Sequence, residues 1–483
     1  MKVTILLLSN ICNFHAIVRN KSVSKFKAVA ICLTLGCALA IRAHATTIIV
    51  SNINDSGPGS LRQALLDAND GDTIDATGIS GVITLITGEL LVDKSVTMNG
   101  AGADVLAVDG NAASRVFQIT SGQTVTISDL TIRNGHDDNI GGGIDNEGGA
   151  ALTITNSTLS GNMAGSVGNP SVEGGGIFNS GTLTIVNSTV SGNTAGGISG
   201  GGGGVFNGGT LTILNSTVSD NTAIKGAGVD NAGAATTVTI TDSTLSGNTA
   251  SAYGGACFNG GTMHIANSTL SDNSAFIGGG ILVVGPLQIG NTILNRGDSG
   301  ANIDSFGVVT VTSLGYNLSS DDAGGHLTGP GDQINTDPMI GPLQNNGGPT
   351  FTHELLSGSP ATNAGDPSFT PPPFFDQRGP GFDRVVDGRI DIGSFEVQTQ
   401  TVAIQLEASG RKVGGINTSR LTWSGATSNN IDVNRDGVVI ATIPNTGVYT
   451  DSSGDTGRAR YTYKVCEAGT STCSNEVTVR FRH

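Results

Sequence analysis

GGGIFNSGTLTIVNSTVSGNTA, residues 174–195, decides the fold, because the chain repeats it with small edits between Gly141 and Leu294. The shared pattern is G-G-G-I-x-N, a gap, then L-T-I-x-N-S-T-L/V-S-G/D-N-T-A. Its copies centre on Asn156, Asn187, Asn215, Asp242, Asn267 and Asn291, so the period shortens from 31 residues to 24. A period in this range marks stacked supersecondary units. Within a copy, apolar and small polar residues alternate, as in Leu183-Thr184-Ile185-Val186 and Leu211-Thr212-Ile213-Leu214. That is the periodicity of a strand, not a helix.

One copy therefore reads as one rung of a β-solenoid. Gly176 to Asn179, Leu183 to Ile185 and Thr189 to Ser191 are three short extended segments separated by Gly or Asn. Three strands and three corners per rung follow. Stacking at the ~4.8 Å strand spacing would pair each backbone group with the rung above or below, so few large side chains are needed. Two asparagine columns recur, Asn146, Asn179, Asn207, Asn231, Asn259 and Asn162, Asn193, Asn221, Asn248, Asn273. Asn tolerates a left-handed corner, and stacked amides can bond along a column. Ile144, Ile177, Val205, Val229, Cys257 and Ile281 form an apolar, inward column, in which Cys257 reads as a small core residue.

These units resemble the repeats of right-handed parallel β-helix proteins of the pectin-lyase-like superfamily, including bacterial surface proteins with polymorphic-outer-membrane-type repeats. The resemblance runs over residues 46–345. It implies an all-β architecture, a right-handed parallel β-helix with three-strand rungs followed by a small C-terminal β-sandwich. It does not imply one activity, since that fold carries lyases, hydrolases, adhesins and passive surface proteins.

Outside the repeat, the first 45 residues carry six basic residues and no acid, then the apolar run Ala28 to Ile41 and Ala43-His44-Ala45. A basic start, a short apolar core and an A-x-A end describe a secretory signal over 1–45, cleaved after Ala45. The formal charge of −15 becomes more negative once that leader is removed. Nucleic acid and anionic membranes are poor partners for such a chain. No later apolar run reaches the ~20 residues that span a bilayer.

The β-helix is expected over 46–320, opened by a helix over Ser60 to Asn69 that Ser60 can cap and that buries Leu61, Ala64, Leu65 and Ala68. Such a helix would cover the open edge of the first rung. The run S-G-P-G-S-L-R-Q-A-L-L-D-A-N-D-G-D-T-I, residues 56–74, resembles the starting segment of secreted bacterial β-helix proteins. Irregular early strands are predicted at Gly81 to Leu85, Val96 to Asn99, Val116 to Ile119 and Val125 to Ile132.

Blocks at Gly347 to Ala361, Asn363 to Asp366, Asp376 to Gly379 and Asp387 to Glu396 resemble the choice-of-anchor domain of type Q. The resemblance implies a closing region over 321–398. Residues 401–483 form a further unit with short alternating strands at Ala403 to Leu406, Ser419 to Trp423, Asn430 to Asn434, Val438 to Ile443, Tyr461 to Cys466 and Glu476 to Phe481. It resembles a fibronectin type III module with Trp423 as core anchor. In that module Cys466 and Cys473 flank the turn of the last hairpin, and with export a local disulfide between them is expected.

Chemistry is sparser. His136, Asp137 and Asp138, after Arg133, form the densest polar cluster on the helix, and two carboxylates can act as acid and base in glycoside hydrolysis. A single rung supplies them, however, and Arg115, Arg133, Lys225 and Arg296 read as isolated cations, which leaves a solvated loop as the default. Asp432 to Gly437 matches half of a calcium loop, but Ile443 stands where the bidentate Glu belongs, so Asp436-Gly437 reads as a hairpin turn. The Asn-Ser-Thr triplets at 156, 187, 215 and 267 are formal glycosylation acceptors whose phase suits corner positions. No nucleophile elbow, phosphate loop or common zinc motif occurs, so no cofactor or metal is expected. The expectation is an exported monomer that presents a repetitive face for adhesion or for binding a glycan or envelope component. A polysaccharide lyase or glycoside hydrolase on the same fold is the alternative.

Overall fold

The computed structural model describes residues 45–165, 172–398, 404–469 and 472–482. The expected leader falls, apart from Ala45, outside them. From Thr47 to Ser319 the chain is a parallel β-helix with three long ladders. In the rung quoted above, Ile177–Asn179 belongs to sheet C, Thr182–Val186 to sheet A and Thr189–Ser191 to sheet B. These sheets hold nine, eleven and ten strands. The five middle rungs add a fourth ladder, sheet D, built from short segments such as Thr194–Ala195. Its alanines, among them Ala164, Ala195, Ala223 and Ala250, pack into a small core of their own. The N-T-A tail of each copy makes this face, with Ala turned in.

Register is continuous. Sheet A pairs without a bulge from Thr47 to Gly290. Since side chains alternate across a strand, continuous register keeps one set of residues inside along the whole stack. Ile144, Ile177, Val205, Val229, Cys257 and Ile281 pair rung by rung on sheet C and are fully buried. Burial pushes the Cys257 thiol pKa up.

Both asparagine columns lie inside as well. Asn146 Nδ2 donates to Asn179 Oδ1 at 2.7 Å, and Asn179, Asn207 and Asn231 each donate to the next member. The second column, Asn162 to Asn273, is linked in the same way. Each amide also donates to a backbone carbonyl, for example Asn193 to Leu159, so the buried N–H groups are satisfied, and Asn146 Oδ1, at the start of its column, is the oxygen left without a partner among the described residues. The two columns are not left-handed, whereas the Asn-Ser-Thr positions, whose phase suits corners, are among the left-handed corners. These corners are Asn156, Asn187, Asn215, Asp242, Asn267 and Asn291, with φ between 46° and 51°. Behind the first five of these corners a serine forms a third ladder: Ser157 N donates to Ser188 Oγ, and Ser188 N to Ser216 Oγ.

At the start of the stack, the helix Leu61–Asp67 is capped by Ser60, whose Oγ accepts from Gln63 N at 3.2 Å. Its residues Leu61, Ala64 and Leu65 join the core of the β-helix. The early segment predicted as one strand, Val125 to Ile132, is two, Thr124–Ser128 and Thr131–Arg133, because Asp129 turns between them with φ 58°. At the far end, Ala323 and Leu327 are buried in the same core and cover the last rungs.

The chain then returns along the side of the stack. The antiparallel pair Ile340–Gln344 and Thr352–Leu355, and the irregular segment up to Glu396, lie on the outward side of sheet B. Thus the region read as a closure is mainly a wrap. It docks through an apolar cluster, in which Leu355, Ala361, Ile392 and Phe395 meet Ile293 and Leu318 of the stack, and through polar contacts: Thr217 Oγ1 donates to Phe351 O at 2.7 Å, Thr244 Oγ1 to Gln377 Oε1 at 2.6 Å, and Ser394 N to Thr269 Oγ1 at 3.1 Å. Inside the wrap, Arg378 lies between the rings of Phe382 and Phe395 and pairs with Asp376.

Residues 404–482 contain two antiparallel sheets of three and four strands around one core that includes Trp423, Tyr463 and Phe481. The first hairpin, Gln405–Val413 with Ile416–Ser424, is longer than its sequence pattern suggests, and the strand Val448–Ser452 is one that the pattern did not reveal. Asp436-Gly437 turns between Asn430–Arg435 and Val438–Pro444, both with positive φ. Cys466 and Cys473 are joined by a disulfide, and Cys257 is free.

Candidate functional site

The wrap leaves part of sheet B uncovered, and there the two enclose a groove of about 700 Å³. Its floor is made of outward hydroxyls from successive rungs: Thr158, Thr189 and Thr217 in one row, Ser191, Ser219 and Ser246 in the other. Leu343, Pro349 and Phe351 of the wrap form one wall, and Asp220, Gly247 and Asp272 at the next corner form the opposite rim. Phe351 is 51% exposed, a large apolar ring held open beside a polar floor. No Lys or Arg lines the groove.

Thr217 and Ser246 are tied to the wrap, whereas the hydroxyls of Thr158, Thr189, Ser191 and Ser219 have no partner among the described residues. Ser219 is 95% buried by residue yet its hydroxyl has no hydrogen-bond partner among the described residues, and it opens on the groove. Ser246 contacts His353 of the wrap at 2.9 Å. The His353 Nδ1 lies 2.7 Å from Gly341 O, an oxygen that can only accept. The ring proton therefore sits on Nδ1, and Ser246 donates to Nε2. Burial holds the His353 pKa below its ordinary value, against the opposing pull of Gly341 O and Asp272, so the ring is neutral at neutral pH. It pins the wall to the floor.

The sequence candidates lie elsewhere, at the corner between sheets C and D. His136 and Asp137 form the first strand of sheet D, pairing with Met163 and Ala164. Asp138 is mostly exposed, with Oδ1 3.5 Å from His136 Nε2. Asp137 is engaged: its Oδ1 accepts from Asn139 N and Ile140 N, and its Oδ2 is 3.1 Å from Arg115. Arg115 in turn pairs with Glu89 at 2.8 Å, lies 3.9 Å from Asp145, and donates to the carbonyls of Ile140 and Gly141. So the cluster draws on several rungs, and Arg115 is its buried centre. Burial lifts the Asp145 pKa to about 6 despite Arg115.

Of the other cations read as isolated, Arg296 makes no ion pair among the described residues, while Arg133 and Lys225 are paired. Arg133 meets Asp109 at 2.8 Å, and Lys225 meets Asp230 at 3.0 Å with Phe258 under its ammonium. Asp230 is fully buried and its pKa rises to about 7, burial outweighing Lys225. These carboxylates are committed to arginine, lysine and backbone partners and bind adjacent rungs together. Among the described residues, no group of three or more His, Cys, Asp or Glu is placed to hold a metal ion. Nor is any helix there long and apolar enough to cross a membrane.

The sequence did signal the floor of the groove, since the S-T-x-S unit sets Thr and Ser on one face. It gave no signal for the wall, because Leu343, Pro349, Phe351 and His353 occur once and reach sheet B only by the return of the chain. Residues 115–296 match the family model described as a right handed beta helix region. No curated protein and no solved structure matches the chain.

Proposed function

We propose that this is an exported, cell-surface or secreted β-helix protein that binds an extended polar polymer, a glycan or another envelope component, in the groove on sheet B without turning it over. The observation that carries this reading is the groove itself. A row of hydroxyls at rung spacing, a partnerless Ser219 and an exposed Phe351 offer a sugar chain repeated hydrogen bonds and one apolar surface. Weak contacts of this kind gain from repetition. The Cys466–Cys473 disulfide suits an oxidising compartment and supports export. The wrap, which resembles a choice-of-anchor type Q domain, would then serve as the wall of the site, and the C-terminal unit, which resembles fibronectin type III, as a spacer or contact module.

Screening the mature protein on a glycan array, followed by titration of the best oligosaccharide against Phe351→Ala, tests this. Binding that weakens about fivefold or more in Phe351→Ala is expected, since aromatic contacts add about 0.5–1.5 kcal/mol beyond buried area. Release of reducing ends or of unsaturated uronates from pectin, alginate, chondroitin or xylan, abolished by Asp137→Asn or Asp138→Asn, would instead make the protein a hydrolase or lyase.

A further inference from the structure

The groove carries a charge pattern that selects among polymers. Asp220 and Asp272 stand at the same corner of the stack, two rungs apart, with Gly247 between them. At the ~4.8 Å rung spacing they are about 10 Å apart along the groove, the reach of a disaccharide. Gly247 leaves the space: a Cβ there would come within 2.7 Å of Asp220 Oδ1. Both carboxylates belong to exposed residues. Asp220 makes no side-chain hydrogen bond or ion pair among the described residues, whereas Asp272 accepts from Ser271 Oγ at 2.9 Å through Oδ2, leaving Oδ1 open. The only nearby basic ring, His353, is buried and neutral. A cation would meet two acceptors on this rim and no competing positive charge.

The floor points the same way. Ser219 adds a second, independent observation: the residue is nine-tenths buried, and its hydroxyl opens on the groove with no partner among the described residues. Phe351 across from the rim supplies an apolar surface on which a sugar ring can lie. A ligand that satisfies all three elements has hydroxyls, an apolar ring face and positive charges recurring at disaccharide length. Uronate polymers put a negative charge where the aspartates are.

We infer that the groove binds a polymer of amino sugars carrying free ammonium groups, with Asp220 and Asp272 receiving ammonium groups on alternate sugar units and Ser219 bonding a hydroxyl of the unit at Asp220. This rests on the groove being the glycan site. It adds the class of glycan and the residues that choose it.

The test compares four probes at low salt and mildly acidic pH: a fully de-N-acetylated glucosamine hexamer, its N-acetylated counterpart, a galacturonate hexamer and hexalysine. The de-N-acetylated hexamer should bind tightest, and salt should weaken it most. Asp220→Asn and Asp272→Asn should each reduce its affinity about threefold, and together about tenfold, while leaving the N-acetylated hexamer unchanged. Asn is tolerated at the left-handed position of either residue, so folding is preserved. Equal or tighter binding of the N-acetylated or galacturonate hexamer, still weakened by Phe351→Ala, would overturn the charge selection and leave the groove reading standing. Hexalysine binding as tightly as the amino sugar would overturn it also, as charge alone would then suffice. Failure of all four probes would overturn the amino-sugar assignment, and the array with Phe351→Ala decides the groove reading separately.

Discussion

Sheets A and B are cut from the same rungs and end in opposite situations. On sheet A the outward residue is threonine in eight successive strands, Thr47, Thr73, Thr97, Thr126, Thr153, Thr184, Thr212 and Thr239, all in register. Thr184, Thr212 and Thr239 are half-exposed, and their hydroxyls have no partner among the described residues. On sheet B the outward threonines Thr217, Thr244 and Thr269 are fully buried under the wrap. The repeat makes both faces alike, and residues that occur once decide which is covered. Asp242 shows this. It is the one acid among the six copies' corner residues, and it stands 3.9 Å from the buried Arg384 of the wrap.

The contrast can be broken at several depths. The deepest cut is Val205→Asp, which places an unpaired charge in the inward column shared by every face. It should cost several kcal/mol and unfold adjoining rungs, so that both faces are lost together. Circular dichroism melting checks this, and a variant that melts like the parent would mean that Val205 does not face the core.

Next comes a matched pair. Thr244→Val removes a buried donor and leaves Gln377 Oε1 without its 2.6 Å bond, which should cost about 1–3 kcal/mol. Thr239→Val on sheet A alters only a solvent-facing hydroxyl and should stay within about 0.5 kcal/mol. Denaturant unfolding of the two variants measures the difference between the faces. Equal costs would show that the wrap does not press on Thr244.

A smaller effect is expected from pH. Glu396 of the wrap is fully buried, and burial, aided by Asp391, lifts its pKa to about 8. Asp242 is raised to about 6, chiefly by burial. The folded state therefore holds protons that the unfolded state releases. Their stabilisation is complete below the ordinary carboxylate range and is lost as pH rises through the folded values. Melting temperature should fall between about pH 5 and about pH 8, less steeply in Glu396→Gln. His353 acts with the opposite sign, since its lowered pKa favours the folded state as pH rises. An unchanged slope in Glu396→Gln would remove that carboxyl from the account.

What could be read from sequence follows the same division. The inward column, the two asparagine columns and the Ser60-capped helix recur or follow a period, and a period forces residues to one side of a stack. Corner positions were legible at the Asn-Ser-Thr triplets, but the left-handed conformation was also expected of the two buried columns, because several Asn positions recur with one period and φ leaves no mark on periodicity. Neither the return of the wrap nor the partners of Arg115 left any pattern. Asp137 was visible as an acid in a loop; its bond to Arg115 depends on two rungs meeting. Asp242 was visible as an exception to Asn and was passed over.

The central claim is that the groove on sheet B, and not the open face of sheet A, is where this protein meets its ligand. One rung offers a direct test, since Thr184 lies on sheet A and Thr189 in the groove. Thr184→Cys and Thr189→Cys, each labelled with a bulky maleimide in protein from which residues 1–45 have been removed, place the same obstacle on either face; Cys257 is buried and Cys466 and Cys473 are bonded. Label at Thr189 should reduce binding of the array-selected oligosaccharide by about tenfold or more, while label at Thr184 leaves it unchanged. The reverse result, or equal loss from both, would contradict the account.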